Sequence, residues 1–176
     1  MVHSIELLLD PDTEAATRRG WAALSEVGLR SPGQTSRPHV TLAVADAISA
    51  DVDAPLAATT PLLPLRCRIG GLMVFGESRF TLVRQVVPTV ELLSLQAEVH
   101  RICLPYLTPG PASNTLPGQW SPHLTMARRV DPAQLARAVT IRRLGRDITG
   151  SVVGLRRWDG NHRVEYVIAH PDSRRH

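Results

Sequence analysis

Pro38-His39-Val40-Thr41-Leu42-Ala43 and Pro122-His123-Leu124-Thr125-Met126-Ala127 are two copies of one six-residue pattern. Four positions are identical, and the other two exchange one apolar residue for another. Side chains two positions apart on a β-strand point to the same face. Each copy therefore predicts a strand with an imidazole and a hydroxyl on a polar face, backed by an apolar face. Two such strands can bring two histidines and two hydroxyls to one cleft, a combination suited to phosphate chemistry.

The chain around the two copies alternates between strand-like and helix-like patterns. These patterns predict strands over 3–10, 39–45, 65–75, 79–87, 123–128, 148–158 and 163–169, and helices over 13–28, 52–58, 89–103 and 131–144. We expect Asp12 or Thr13 to cap the first helix and Asp131 to cap the last. In both halves a loop rich in Pro, Gly and Ser precedes the motif strand, and an Asp-containing turn follows it. This order favours an α+β or α/β sandwich, in which duplicated halves would place the motif strands side by side.

The composition is that of an ordinary globular domain. Of the 176 residues, 43% are hydrophobic and 20% are charged, and no run approaches the roughly 20 apolar residues of a membrane span. The N-terminal residues lack the pattern of a signal peptide, so we expect a cytoplasmic protein without membrane association. Cys67 and Cys103 lie in apolar segments without metal-ligand spacing, which predicts buried free thiols.

All 20 basic residues are arginine, and the net charge is +4. A GC-rich coding bias accounts for most of this preference. Arginine is permanently charged and can bind phosphate through two parallel hydrogen bonds. The charge therefore permits an anionic partner without requiring one.

The doubled His-x-Thr pattern, each copy preceded by Pro, resembles the 2H phosphoesterase superfamily, which includes 2′-5′ RNA ligase-like proteins and 2′,3′-cyclic phosphodiesterases. The two histidines are 84 residues apart, a spacing compatible with that superfamily. The resemblance implies that residues 1–176 form a single domain with two pseudo-symmetric lobes. The implied fold is an α+β bilobal sandwich, with two antiparallel sheets flanking a central cleft and the helices outside.

The resemblance also implies roles for individual residues. His39 and His123 match the two catalytic histidines, and Thr41 and Thr125 match the phosphate-binding hydroxyls. Arg128 matches a substrate-binding arginine, whereas Val44 stands at the equivalent place in the first copy. The opening strand, 5–9, is apolar and acidic where many relatives are basic and aromatic, which leaves the identity of the nucleotide open.

These residues permit hydrolysis of a cyclic phosphodiester without a metal or other cofactor. One histidine can deprotonate water, the other can protonate the departing ribose oxygen, and the threonines can donate to the non-bridging oxygens. We expect His123 to be the base and His39 the acid, although the near-symmetry of the copies gives little reason for that order. The expected substrate is an RNA end or a nucleotide cyclic phosphate, and the expected state is a monomer.

Three alternatives are compatible with the same sequence. The same histidines could run the reverse reaction and ligate RNA through a 2′-5′ linkage. The chain could bind RNA or nucleotides without catalysis, although only 4% of it is aromatic, which is little for base stacking. His39 and His123 could also bind a metal with nearby carboxylates, but no third ligand lies at a sequence spacing typical of a metal site.

Weaker candidates for substrate binding surround the two copies. Arg37 precedes the first copy, and Trp120 precedes the second. Trp120 could stack on a base at the mouth of the cleft, whereas packing under the neighbouring loop is favoured for Trp120 and also for Trp21 and Trp158. The remaining histidines show no pattern of partners and are assigned no chemistry: His3, His100, His162, His170 and His176.

Overall fold

The computed structural model describes residues 2–33 and 35–169. Its strands are β1 (His3–Leu9), β2 (His39–Ala45), β3 (Ala47–Ile48), β4 (Leu65–Phe75), β5 (Phe80–Val86), β6 (Leu107–Thr108), β7 (His123–Val130), β8 (Ile148–Asp159) and β9 (Val164–Ala169). Its α-helices are α1 (Pro11–Glu26), α2 (Asp53–Ala57), α3 (Val90–Cys103) and α4 (Pro132–Val139), joined in places by short 3₁₀ turns. His170, His176 and the basic tail lie outside the described residues.

Seven of the described strands form one antiparallel sheet, and β3 and β6 form a separate pair. The order along the sheet is β2-β1-β8-β4-β5-β7, and β9 pairs with β8. The predicted α+β class is therefore confirmed. The predicted arrangement of two separate antiparallel sheets was wrong, because a single continuous sheet runs through both lobes. Strand β8 is twelve residues long, so its first part pairs with β4 and its last part pairs with β1 and β9.

The duplication extends beyond the six-residue pattern to a strand–helix–strand unit. The first unit is β1–α1–β2 and the second is β5–α3–β7, and in each the motif strand pairs antiparallel with the strand that opens the unit. Strands β2 and β7 lie at opposite ends of the sheet order but contact each other. The sheet therefore curves until its two end strands meet, which places the motif strands side by side as the duplication predicts.

Each helix packs beneath the motif strand of the other unit. Helix α3 contacts β2, and its Leu92, Leu95 and Val99 share a buried cluster with Val40 and Leu42. Helix α1 contacts β7, and its Trp21 and Leu24 share a second cluster with Met126 and Ala127. This exchange ties the two units together through apolar burial, the main driving force of folding.

The N-terminus of α1 begins earlier than the sequence predicts. Asp10, rather than Asp12 or Thr13, is the N-cap, because its side chain accepts the Thr13 N–H at 2.9 Å and Pro11 occupies the first helical position. Asp10 also accepts the Ser151 N–H at 2.5 Å, which fixes the helix on β8. This close approach requires Gly150, since a Cβ there would collide with the Thr13 hydroxyl.

The predicted cap of α4 and the predicted free thiols are confirmed, but α4 ends at Val139 instead of near residue 144, and a separate 3₁₀ turn follows at Arg142–Gly145. Asp131 caps α4 in a reciprocal capping box with Gln134, and Pro132 opens the helix. Cys67 and Cys103 are buried free thiols, and burial raises their pKa values to about 11 and about 12. Within the described chain, no helix is both long enough and apolar enough to cross a membrane.

Candidate active site

A cleft of about 1030 Å³ lies on the polar face of the sheet where the two motif strands meet. Both units contribute to its wall. The first unit supplies Glu6, His39 and Thr41, and the second supplies His123 and Thr125. The cleft is also lined by side chains of the strands and loops around them, including Ser4, Arg37, Trp120, Arg128, Arg156, Trp158, Arg163 and Glu165.

The two motif strands present their side chains as the alternation predicts. His39 and Thr41 are half-buried at the cleft, whereas Val40 and Leu42 between them are fully buried in the core. On β7, His123 and Thr125 are likewise half-buried, and Leu124 and Met126 are 1% exposed. The buried faces anchor the strands, so the two imidazoles and two hydroxyls are held on a rigid support.

A main-chain carbonyl orients each imidazole in the same way. Nδ1 of His39 lies 2.8 Å from the carbonyl oxygen of Arg37, and Nδ1 of His123 lies 2.6 Å from that of Ser121. A carbonyl oxygen can only accept, so Nδ1 carries the proton and donates in both rings. Nε2 is consequently the nitrogen of each histidine that can accept or release a proton during a reaction.

A tryptophan from outside each motif strand holds the strand's main chain. The Trp120 indole N–H donates to the Thr41 carbonyl at 2.9 Å, and the Trp21 indole N–H donates to the Thr125 carbonyl at 3.0 Å. Both motif strands end the sheet order, so one edge of each has no hydrogen-bonded neighbour among the described strands. These hydrogen bonds satisfy carbonyls on that edge and fix the threonines within the cleft.

The surroundings of His39 are strongly charged. Glu6 on β1 is 3% exposed, and its Oε1 lies 3.5 Å from Nε2 of His39. Arg156 on β8 donates to Oε2 of Glu6 from Nη2 at 2.6 Å and from Nε at 2.8 Å. Arg156 also pairs with Glu165 on β9 at 2.5 Å. A buried ionic network therefore stands directly beside this histidine.

The surroundings of His123 are apolar and cationic. The Phe75 ring meets the imidazole edge to face, with 5.0 Å between the ring centroids. Burial lowers the pKa of His123, and the positive charges of Arg128 and His39 lower it further, against an opposing contribution from the Ser121 carbonyl. This imidazole is therefore neutral at near-neutral pH, with a free lone pair on Nε2.

The family model of the 2′-5′ RNA ligase superfamily matches residues 11–162, which includes both His-x-Thr copies. The chain belongs to this superfamily. The predicted resemblance to the 2H phosphoesterases is thus confirmed, and membership supports phosphodiesterase or ligase-like activity. Curated protein sequences give no match to the chain.

Solved structures share the fold of this 2′-5′ RNA ligase superfamily member at low sequence identity. TT0787 of Thermus thermophilus is 20% identical with a TM-score of 0.59, over 96% of this chain and 95% of that one. E. coli LigT complexed with 3′-AMP is 15% identical with a TM-score of 0.54, over 94% and 91% of the two chains. The MHV ns2 PDE domain is 18% identical with a TM-score of 0.54, over 88% and 95%.

The weaker predicted site residues have distinct positions in this superfamily member. Arg128 is exposed and lines the cleft. Arg37 also lines the cleft, but its side chain donates to Glu14 at 3.2 Å. Trp120 is 9% exposed and bonded to Thr41, which corresponds to the packing interpretation. Trp158, which the sequence assigns to packing, lines the cleft.

The sequence-based reasoning missed Glu6, Arg156 and Phe75. A single carboxylate inside the apolar run 5–9 is a signal that could have identified Glu6, because such a group is buried only with a partner. Arg156 and Phe75 carry no comparable signal. Among residues 2–33 and 35–169, no group of three or more His, Cys, Asp or Glu side chains is arranged to hold a metal ion.

Proposed function

We propose that this chain hydrolyses the 2′,3′-cyclic phosphate of an RNA end or a nucleotide by acid–base catalysis with His39 and His123. The observation that carries the proposal is the matched orientation of the two rings. Each Nδ1 donates to a main-chain carbonyl, which leaves both Nε2 atoms for proton transfer beside Thr41 and Thr125.

In the proposed mechanism the two histidines begin in different protonation states. Neutral His123 accepts a proton from water at Nε2 while the water oxygen attacks phosphorus. The bond from phosphorus to one ribose oxygen breaks, and protonated His39 donates its Nε2 proton to that oxygen. The lowered pKa of His123 supports its role as the base. Proton exchange with solvent then restores both histidines.

Thr41 and Thr125 act on the phosphate itself. Their hydroxyls donate to the non-bridging oxygens, where negative charge grows in the transition state. Arg128 lines the same cleft, and its guanidinium can bind the reacting phosphate or an adjacent phosphate of the substrate. These groups supply the proton transfers and the charge stabilisation, so the proposed reaction needs no metal ion.

The substrate class is supported by the solved relatives. The LigT structure holds 3′-AMP, a ribonucleotide with its phosphate on a ribose hydroxyl. Ligation of an RNA 5′-hydroxyl to a cyclic phosphate would use the same residues in reverse. Hydrolysis is preferred, because water is the more abundant nucleophile.

The experiment is an assay of the purified protein with nucleoside 2′,3′-cyclic phosphates in the presence of EDTA. We expect activity to survive chelation and to fall by about 10²–10⁴-fold in both His39→Ala and His123→Ala. His100→Ala, which removes a histidine from α3 outside the cleft, is the matched control and keeps its activity. Full activity in either cleft variant contradicts the proposal, and binding of RNA ends without turnover by the wild type favours a non-catalytic module.

A further inference from the structure

A buried carboxylate faces the reactive nitrogen of one histidine. Glu6 lies on β1 opposite Thr41 of β2, between Ile5 and Leu7, which are fully buried. Its Oε1 is 3.5 Å from Nε2 of His39, the nitrogen that the Arg37 carbonyl leaves available for chemistry. An ionised carboxylate is buried to this degree at a large desolvation cost, so its location calls for a role.

The carboxylate is fixed on both oxygens. Oε2 accepts two hydrogen bonds from Arg156, and Oε1 accepts one from the Ser4 hydroxyl at 2.6 Å. Arg156 is itself 5% exposed, so water screens this arrangement little. With Oε2 occupied by the guanidinium, Oε1 is the oxygen directed to His39.

The charges of this network do not balance without the histidine. Arg156 is shared between two carboxylates, Glu6 and Glu165, so the three side chains carry one net negative charge. A protonated His39 neutralises it. The charged groups that face His39 come from β1 (Glu6), β8 (Arg156, whose Nη2 is 3.4 Å from Nδ1), β9 (Glu165 through Arg156), β7 (His123 and Arg128) and the preceding loop (Arg37).

We propose that Glu6, held by Arg156 and Ser4, is a positioning residue that keeps the proton on Nε2 of His39 and so makes His39 the general acid. The inference rests on the proposed function, because His39 is a general acid only in that reaction. The short distance between Glu6 and His39 does not depend on the function. His123 has no such neighbour, because none of the described carboxylates forms an ion pair with it. Glu6 therefore adds, on the side of His39, to the difference that burial and Arg128 make at His123.

The test is Glu6→Gln, which removes the charge but keeps the shape and the capacity to accept from Ser4 or Arg156. Without substrate, NMR titration follows the ring protons of His39 and His123. We expect the titration midpoint of His39 to move to lower pH. That of His123 does not follow it, because a weaker positive charge on His39 can only raise the pKa of His123. In the hydrolysis assay the alkaline limb of the kcat profile moves in the same direction, so that kcat above this limb falls about tenfold.

Asp53→Asn is the matched control. Asp53 pairs with Arg157, the next residue of β8, at 2.8 Å, and neither residue lines the cleft. Like Glu6→Gln, this variant removes the carboxylate charge from a partly buried ion pair with an arginine. We expect the titrations of His39 and His123 and the pH profile of kcat to stay unchanged. A loss of stability alone is then separated from a change in the charge of His39.

A second variant covers the case in which Glu6→Gln does not fold. Glu165 is 41% exposed, and Glu165→Gln leaves Arg156 wholly to Glu6, so the His39 midpoint moves to lower pH by a smaller amount. Midpoints of His39 that agree with the wild type in the folded variants overturn the inference. If the wild type does not hydrolyse cyclic phosphates, the proposed function fails, while the NMR titration still decides the role of Glu6.

Discussion

The two half-sites of this protein share a backbone and differ in charge. In both, a histidine donates from Nδ1 to the carbonyl two residues earlier, and a tryptophan donates to the carbonyl of the motif threonine. The residues opposite the threonines on the neighbouring strands are unlike, since Glu6 faces Thr41 and Val83 faces Thr125. One half-site therefore contains a buried carboxylate and the other an apolar residue.

This difference shows how a duplicated motif can supply two unlike groups. The main-chain hydrogen bonds follow from the strand and its entry loop, which are repeated with the motif. The electrostatic environment is set by side chains outside the repeated six residues. Glu6 on β1 and Arg156 on β8 stand beside His39, whereas Phe75 on β4 and Arg128 on β7 stand beside His123. A symmetric pair of imidazoles can thus act as an acid and a base, provided that their neighbours differ in charge.

The largest expected effect separates the acid from the base through the leaving group. In His39→Ala, cyclic phosphate hydrolysis falls by about 10³-fold, but hydrolysis of a p-nitrophenyl phosphodiester is largely retained, because its leaving group needs no proton. In His123→Ala both substrates are lost, since water is no longer deprotonated. Steady-state rates with the two substrates make this comparison, and the opposite pattern would exchange the two roles.

The two threonines test whether the half-sites share the phosphate equally. Thr41→Val and Thr125→Val each remove one hydroxyl while preserving the shape of the side chain, and each should lower kcat by about 10²-fold. Thr→Ser at either position keeps a donor and should recover most of the activity. A kcat that is unchanged in one valine variant would assign phosphate stabilisation to the other half-site alone.

Arg128 tests the cationic surroundings of His123. Removing this charge in Arg128→Ala should raise KM about tenfold, because a charged hydrogen bond to phosphate is lost. Burial is the main cause of the lowered pKa of His123, with Arg128 a further one, so the pKa rises only partly in the variant. Because a base works above its pKa, the acidic limb of the kcat profile should move to higher pH.

Arg128→Lys provides the control for this experiment. Lysine keeps the positive charge but loses the two-pronged guanidinium geometry. The acidic limb should then remain at the wild-type position while KM still rises. An acidic limb that is the same in all three proteins would show that Arg128 does not influence the base.

The smallest effect compares the helix caps of the two units. Asp10 caps α1 and also binds Ser151 of β8, whereas the Thr89 hydroxyl that caps α3 accepts only the Leu92 N–H among the described contacts. Asp10→Ala should lower the free energy of unfolding by about 2 kcal/mol and Thr89→Ala by about 1 kcal/mol. Chemical denaturation at pH 7 measures both, and equal losses would contradict the extra role of Asp10.

The cost of Asp10→Ala should also depend on pH. Burial raises the pKa of Asp10, but hydrogen bonds from Thr13 and Ser151 outweigh it and leave the pKa below its usual value. A lowered pKa in the folded state adds stability that is present above the unfolded pKa and lost as pH falls through the folded one. The difference between wild type and variant should therefore shrink below about pH 4. Thr89→Ala, which removes no titrating group, should show no such change.

Most of the fold could be predicted from local patterns. Alternating apolar residues predicted β2, β4 and β7, and the Asp131-Pro132 pair predicted the start of α4. The N-cap of α1 was predicted at Asp12 or Thr13 instead of at Asp10, because all three are good capping residues. The contact of Asp10 with Ser151, 141 residues away, belongs to the docking of α1 on β8 and has no local signal.

The sequence by itself identified the four repeated side chains as site candidates, because His and Thr two positions apart point to the same face of a single strand. The match to the family model spans residues 11–162, which include both copies of the pattern. The tertiary structure decided what surrounds each copy, because strand pairing brings Glu6 and Arg156 to the cleft, and a hairpin far from the motifs in sequence brings Phe75 against His123. Charge effects depend on distance in space and on burial, and neither is encoded in the local sequence around a histidine.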